Sequence, residues 1–309
     1  LGTDNGILVY NYRTDKYEQP ETDFPTDVRT MALQGDTLWI GSLNGLYTYQ
    51  LNTKKLASLD SKSNGLPHHT IYSIIRTTDN QIYVGTYNGL CRYIEESGKF
   101  ENIPLPVNRN VSNLFVNSLL EDTSRQCIWI GMEGSLFQYT PATGLMKPID
   151  AFHNNSIKSL ALDGDGNLLA GTDNGLYVYQ NDNGTLQHIV HDSRNIQSLT
   201  NNIIWNIFAD QEQNIWLGTD YGISLSRYNS ALQFIPISQI TGTGDGNQFY
   251  SLFRDSKGFY WFGGTNGVIR FTNPTGNKHD AVWYRMGDKH HPLSHNRIRH
   301  IYEDREQQL

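Results

Sequence analysis

The sequence predicts an all-β protein: a seven-bladed β-propeller of four-stranded antiparallel blades, its ring closed by the C-terminal strand joining the N-terminal blade. Three observations lead there. A glycine-anchored segment recurs at intervals of 39, 44, 46, 40, 47 and 45 residues. Each recurrence lies between short aromatic and β-branched runs. The two chain ends carry complementary pieces of one repeat.

The anchors are GTDNGI (2–7), GSLNGL (41–46), GTYNGL (85–90), GMEGSL (131–136), GTDNGL (171–176), GTDYGI (218–223) and GGTNGV (263–268). Their period suits a propeller blade but also overlaps that of helical arrays, so period alone does not decide. Local pattern does. An apolar run comes first in each unit, such as IYSIIR (71–76) or IIWNIF (203–208), and ends in a polar turn; this is strand A. The run entering the anchor, such as LWIG (38–41), IWIG (128–131) or IWLG (215–218), is strand B. The run leaving it, such as LYTY (46–49) or LYVY (176–179), is strand C. A weaker run, such as FENI (100–103), LMKPI (145–149), LQHIV (186–190) or LQFIPI (232–237), is strand D. These are strand compositions separated by turn chemistry, too short for helices of ten residues or more.

The N-terminus supplies the end of a B strand, then C and D. The C-terminus supplies an A strand, IRHIYED (298–304), and the start of a B strand at Leu309. Together they make one blade lacking a single residue, which with six internal blades gives seven over residues 1–309. A closed ring removes the exposed sheet edges that an open one would leave. The chain starts at Leu1 and stops within the pattern, and is read as a piece of a longer protein.

Composition excludes several function classes. Hydrophobic residues are 38 %, charged 18 % and aromatic 12 %, which favours a folded core over disorder. The net charge of −7 argues against a nucleic-acid partner. No apolar run reaches membrane-helix length. Two cysteines, Cys91 and Cys127, are too few for a disulfide framework or a four-cysteine zinc site and are read as buried thiols. DGDGN (163–167) opens like a calcium loop, but Leu168 and Asn174 stand where glycine and glutamate are needed, so it reads as an A–B turn. TGTGDGN (241–247) lacks the GK[ST] of a phosphate loop. His290, His291 and His295, and likewise His68 and His69, read as exposed loop histidines. No metal, cofactor or catalytic residue is assigned. Trp39, Trp129, Trp205, Trp216 and Trp261 are expected to pack blade against blade.

The segments 63–94, 198–223 and 292–304 carry a Leu-Pro or Leu-Ser/Thr leader, an A strand ending in a polar turn and, in the first two, an aromatic-apolar-Gly-Thr…Gly-Leu/Ile stretch. In this the chain resembles the two-component regulator propeller repeat over essentially its whole length. Three departures occur: Ser135 in place of glycine, LLAG (168–171) without an aromatic, and two extra residues before Tyr228. The resemblance implies a periplasmic sensor region of a hybrid two-component histidine kinase of the Bacteroides type. It implies a non-catalytic domain that helps recognise a glycan-derived oligosaccharide and signals to glycan-utilisation genes. The implied partners are that ligand, adjacent periplasmic domains and, in the full-length protein, a second copy. Two other readings stand beside it: a propeller glycosidase or polysaccharide lyase, and a protein-interaction scaffold. Against the first, no insert carries the carboxylate pair that glycoside hydrolysis uses.

Ligand contacts are expected on the D–A loops and the first residues of A strands, where loop position and polar or aromatic side chains coincide. The candidates are Arg109, His153, Asn154, Arg194, Asn202, Tyr250, His295 and Arg297, with Arg109, Arg194 and Arg297 able to form a basic patch for an acidic glycan.

Overall fold

The structure is a computed structural model. It describes the chain except residues 14, 19, 21, 107–113, 153–154, 181–182, 196, 228–247, 273–280, 290–292 and 305–308. Among the described residues strands dominate, with one short helix, Ser61–Asn64, and one 3-10 turn, Asp150–Phe152. The fold class is the predicted seven-bladed β-propeller. The chain divides into two compact units, residues 2–7 with 20–157, and residues 1, 8–19 and 158–309.

The first unit contains three complete blades. Their strands A to D are Val28–Gln34, Thr37–Ser42, Gly45–Gln50 and Lys55–Leu59; then Ile71–Arg76, Ile82–Thr86, Gly89–Ile94 and Lys99–Ile103; then Val116–Asp122, Cys127–Met132, Ser135–Thr140 and Leu145–Pro148. Each blade is an antiparallel meander in chain order. Cys91 and Cys127 are free and buried, as expected.

The second unit holds, but for Ile157, the blade Ile157–Leu162, Leu168–Thr172, Gly175–Gln180 and Thr185–Ile189. It also holds the blade Phe249–Arg254, Tyr260–Gly264, Gly267–Phe271 and Ala281–Tyr284. Between them lie Ile204–Ala209, Ile215–Thr219 and Gly222–Ser226; the predicted fourth strand at 232–237 is outside the described residues. The chain ends meet in this unit. Leu309 N–H donates to the Tyr10 carbonyl at 3.3 Å, and Tyr10 N–H donates back to Leu309. Leu8, Tyr10, Trp261, Tyr284, Ile298 and Leu309 share one core cluster. That is the predicted closure, a C-terminal B-strand residue beside an N-terminal C strand.

Three repeat positions explain the fold. The B-strand tryptophans Trp39, Trp129, Trp216 and Trp261 are at most 1 % exposed. Each ring of that size buries about 150–250 Å², stabilising by about 4–6 kcal/mol at 25 cal/mol per Å². Burial leaves each indole N–H needing an acceptor. In three blades an aspartate at the end of the A strand or just after it provides it: Asp122 at 3.2 Å, Asp210 at 2.9 Å and Asp255 at 2.7 Å; Gln34 serves Trp39 at 3.1 Å. The first anchor glycine lets the next A strand approach. A Cβ on Gly171 would lie 2.7 Å from Ile204 Cγ2, inside contact distance. The anchor threonine closes the B–C turn, Thr172 Oγ1 donating to the Gly175 carbonyl at 2.9 Å and accepting from Asn174 N–H at 3.0 Å. Gly175 itself has φ +106°, which only glycine adopts without strain.

Trp205 departs from the expectation of core packing. It is the second residue of an A strand, not a B-strand residue, and it is only half-buried. DGDGN is the predicted turn: Asp163 Oδ1 accepts from Asp165 N–H at 3.0 Å and Asn167 N–H at 2.8 Å.

Candidate functional site

The second residue of the A strand is where these blades depart from regular pairing. In five blades the A–B register shifts there, skipping Arg29, Tyr72, Asn117, Trp205 and Tyr250. The residue just after each bulge pairs with the first anchor glycine, as Asn206 does with Gly218 and Ser251 with Gly263. Bulges re-aim side chains and concentrate near functional sites.

In the second unit this position carries Lys158, Trp205, Tyr250 and Arg299 in successive A strands, and the four side chains form a row. Lys158 Nζ lies 4.6 Å from the Trp205 ring centroid. Trp205 meets Tyr250 edge to face, centroids 5.5 Å apart at 75°. Arg299 Cζ sits 4.3 Å from the Tyr250 centroid. Trp205 Nε1–H donates to Asp220 Oδ1 at 2.7 Å, and the Tyr250 hydroxyl donates to Gln248 Oε1. Each cation over a ring contributes about 0.5–2 kcal/mol, more where water is excluded. The row presents two half-buried rings fixed by hydrogen bonds and flanked by two cations. Such a surface can stack an apolar ring face and hold an anionic or hydroxylated group at either end.

Of the predicted site residues, Tyr250 is in this row. Arg194 is highly exposed, its guanidinium held on Asp192 at 3.2 Å. The same arginine's backbone and side-chain hydrogen bonds keep the Asp192 carboxyl below its usual range. Asn202 clamps its own loop, its Oδ1 accepting from His191 N–H at 2.6 Å and its carbonyl from Gly175 N–H at 2.7 Å. His295 Nδ1 accepts from Arg297 N–H at 3.0 Å, which leaves Nε2 as its other ring nitrogen; Arg297 is exposed. Arg109, His153 and Asn154 lie outside the described residues. Lys158, Trp205 and Arg299 were not predicted. Their signal was present: each follows the first buried apolar residue of its A strand (Ile157, Ile204, Ile298), as Tyr250 follows Phe249.

At the A–B turns of the first unit, an open groove of about 670 Å³ is lined by Thr78, Asp79, Tyr83, Arg92, Glu121 and Cys127. Its charged groups are satisfied within the protein: Arg92 pairs with Glu101 at 2.7 Å, and Glu121 accepts from Thr78 N–H and Oγ1–H. Among the described residues, no group of three or more His, Cys, Asp or Glu is placed to hold a metal.

Residues 65–88, 198–221 and 243–266 match the family model described as two component regulator propeller. The chain is 83 % identical, over 99 % of its length, to a solved extracellular domain assigned to a hybrid two component system, BT4673, of B. thetaiotaomicron, with a TM-score of 0.72. It spans 41 % of that chain. Among curated proteins it is 28 % identical to Histidine kinase P4 of Formosa agariphila, over 88 % of this chain and 21 % of the relative. A streptogramin B lyase, 14 % identical with a TM-score of 0.64 over 85 % of this chain, shares the fold alone.

Proposed function

We propose that this chain, which matches the two component regulator propeller model over three stretches, is a non-catalytic, periplasmic part of a hybrid two-component sensor and contributes to recognition of a glycan-derived oligosaccharide. The observation carrying the ligand class is the row Lys158–Trp205–Tyr250–Arg299. Sugars combine apolar ring faces with hydroxyl or carboxylate edges. Aromatic faces and cations serve those two surfaces in turn, with Arg forking onto carboxylates. Arg109, His153, Asn154, Arg194, Asn202, His295 and Arg297 are proposed as the loop contacts around the row, and binding feeds glycan-utilisation genes through the remainder of the longer protein. That remainder supplies the adjacent domains, and a second copy of the protein completes the signalling unit.

The test is a glycan-library screen by calorimetry on the full extracellular region, repeated with Trp205→Ala and Arg299→Ala. Each variant is expected to weaken the cognate oligosaccharide at least tenfold without altering the circular dichroism spectrum. Unchanged affinity in both would move the site off the row. Incubation with the cognate ligand is expected to leave it intact by chromatography; a cleaved product would replace the sensor reading with an enzymatic one.

A further inference from the structure

We propose that the first unit carries a second, separate subsite, an exposed platform of Tyr87, Phe115, His68, His69 and Tyr72 that stacks a pyranose ring of an oligosaccharide. The proposal rests on the reading of the domain as a glycan binder and assigns ligand contacts to residues that are not part of the Lys158–Arg299 row.

The platform is a run of rings in contact. Tyr87 lies 4.1 Å from Phe115 and 4.9 Å from His68, centroid to centroid. His68 stacks on His69 at 4.3 Å and 25°. Phe115 continues the run to Tyr72 at 5.8 Å. Tyr87 is 37 % exposed and His69 is exposed, while His68, Phe115 and Tyr72 are half-buried. The backbone beneath is fixed: Tyr87 N–H donates to the Thr70 carbonyl at 3.0 Å and Gly89 N–H to the Leu114 carbonyl at 3.0 Å.

The repeat does not account for the Tyr87, Phe115, His68 or His69 rings, whereas Tyr72 stands at the same bulged A-strand position as Trp205 and Tyr250. At the Tyr87 position the other anchors carry Asp4, Leu43, Glu133, Asp173, Asp220 and Thr265, none aromatic. Where Phe115 precedes its A strand, the other blades have Asp27, Thr70, Ser156, Ile203, Gln248 and Arg297, none aromatic. Blade packing is already served by the B-strand aromatics, so aromatic side chains concentrated at the exposed end of two adjoining blades point to an external ligand.

Its chemistry is that of a sugar. Thr70 N–H donates to His68 Nδ1 at 3.0 Å, so that nitrogen keeps its lone pair. Burial and the neighbouring His69 both lower the His68 pKa, which keeps the imidazole neutral and able to stack. Around the rings stand the Tyr87 and Tyr72 hydroxyls and the exposed Asn88. Apolar faces bordered by hydrogen-bonding edges match a pyranose, whose faces are C–H and whose rim is hydroxyl. A protein partner would need more area. Five rings of about 150–250 Å² at roughly one-third exposure offer on the order of 300 Å², against about 800 Å² per side for a stable protein interface.

The experiment uses the full extracellular region on an array of neutral, acetamido and uronic-acid oligosaccharides, with wild type, Tyr87→Ala, His69→Ala and Trp205→Ala compared. Tyr87 and His69 are exposed, so their truncation is expected to leave the thermal midpoint unchanged. The expected result is at least a tenfold loss of affinity in Tyr87→Ala and a smaller loss in His69→Ala. A shift of the His68 and His69 imidazole resonances on titrating the strongest-binding oligosaccharide is expected as well. If Trp205→Ala loses binding while Tyr87→Ala and His69→Ala match wild type, the platform is overturned and the glycan reading stands. If wild type retains no oligosaccharide, both fall.

Discussion

Replacing Asp122 by Asn tests the link between A-strand end and buried tryptophan. The Asp122 side chain is fully buried and accepts four hydrogen bonds. Ser124 Oγ–H (2.7 Å) and Arg125 N–H (3.1 Å) meet Oδ1; Arg125 Nη1–H (3.0 Å) and Trp129 Nε1–H (3.2 Å) meet Oδ2. Burial works against the charge, but the bonds from Ser124, Trp129 and Arg125 overcome it and hold the carboxyl below its usual 3.8. An asparagine fits the same volume. With its NH₂ toward Arg125 Nη1 and Trp129 it opposes two donors. Turned the other way, it lets Ser124 reverse and accept, but still opposes Arg125 N–H. One bond is then lost, and of the rest only that from the Arg125 guanidinium keeps a charged partner. With bonds to charged groups at about 1.5–3 kcal/mol and neutral ones near 1 kcal/mol, the cost at pH 7 is about 2–4 kcal/mol.

The pH dependence separates charge from packing. A carboxyl with a lowered folded pKa binds fewer protons folded than unfolded. Its contribution is therefore present above the unfolded value near 3.9 and is lost as pH falls through the folded value. Urea unfolding followed by far-ultraviolet circular dichroism should give a constant gap between wild type and Asp122→Asn from pH 7 to 5. The gap should narrow progressively below about 3.9 as wild-type Asp122 takes up its proton. A gap under about 0.5 kcal/mol at pH 7, less than one neutral bond, would refute the account. So would a gap that stays undiminished down to the acid limit of the folded state.

Three further outcomes follow from the same packing. Trp216→Ala should cost about 3–5 kcal/mol in denaturant titrations, through lost burial and the cavity left beside Tyr260 and Phe262, whose rings lie 5.2 and 5.3 Å away; wild-type stability would show that the ring is not core. Gly171→Ala should cost about 1–3 kcal/mol by driving a Cβ against Ile204 and Ile207, read as a lowered thermal midpoint, and an unchanged midpoint would contradict the close approach. Cys91 and Cys127, whose thiols burial pushes up, should resist a thiol reagent at pH 8 in the folded protein and both react once it is unfolded; fast labelling of the native chain would count against their burial.

The sequence by itself determined the repeat, the strand order and the meeting of the chain ends, because each blade reuses one local code. Glycines and usually a threonine set the turn, an aromatic fills strand B in all internal blades but that of LLAG, and an aspartate at the end of strand A serves Trp129, Trp216 and Trp261. These are short-range requirements, visible at a fixed spacing. The buried thiols and the turn at Asp163 were legible for the same reason. Only the tertiary structure decided which polar and aromatic residues gather. The bulge at the second A-strand residue is a pairing irregularity with no signature of its own in one strand, so Trp205 read as core and Lys158 and Arg299 passed unnoticed. The hydrogen-bond partners of the loop residues Asn202 and Arg194, which are His191 and Asp192 of the same loop, were likewise visible only in the structure. The ring contacts joining His68, Tyr87 and Phe115 bring together segments from two blades. Sequence spacing carries the period of a blade; the distance between side chains on neighbouring blades depends on how the strands pair and turn, and is set only when they pack.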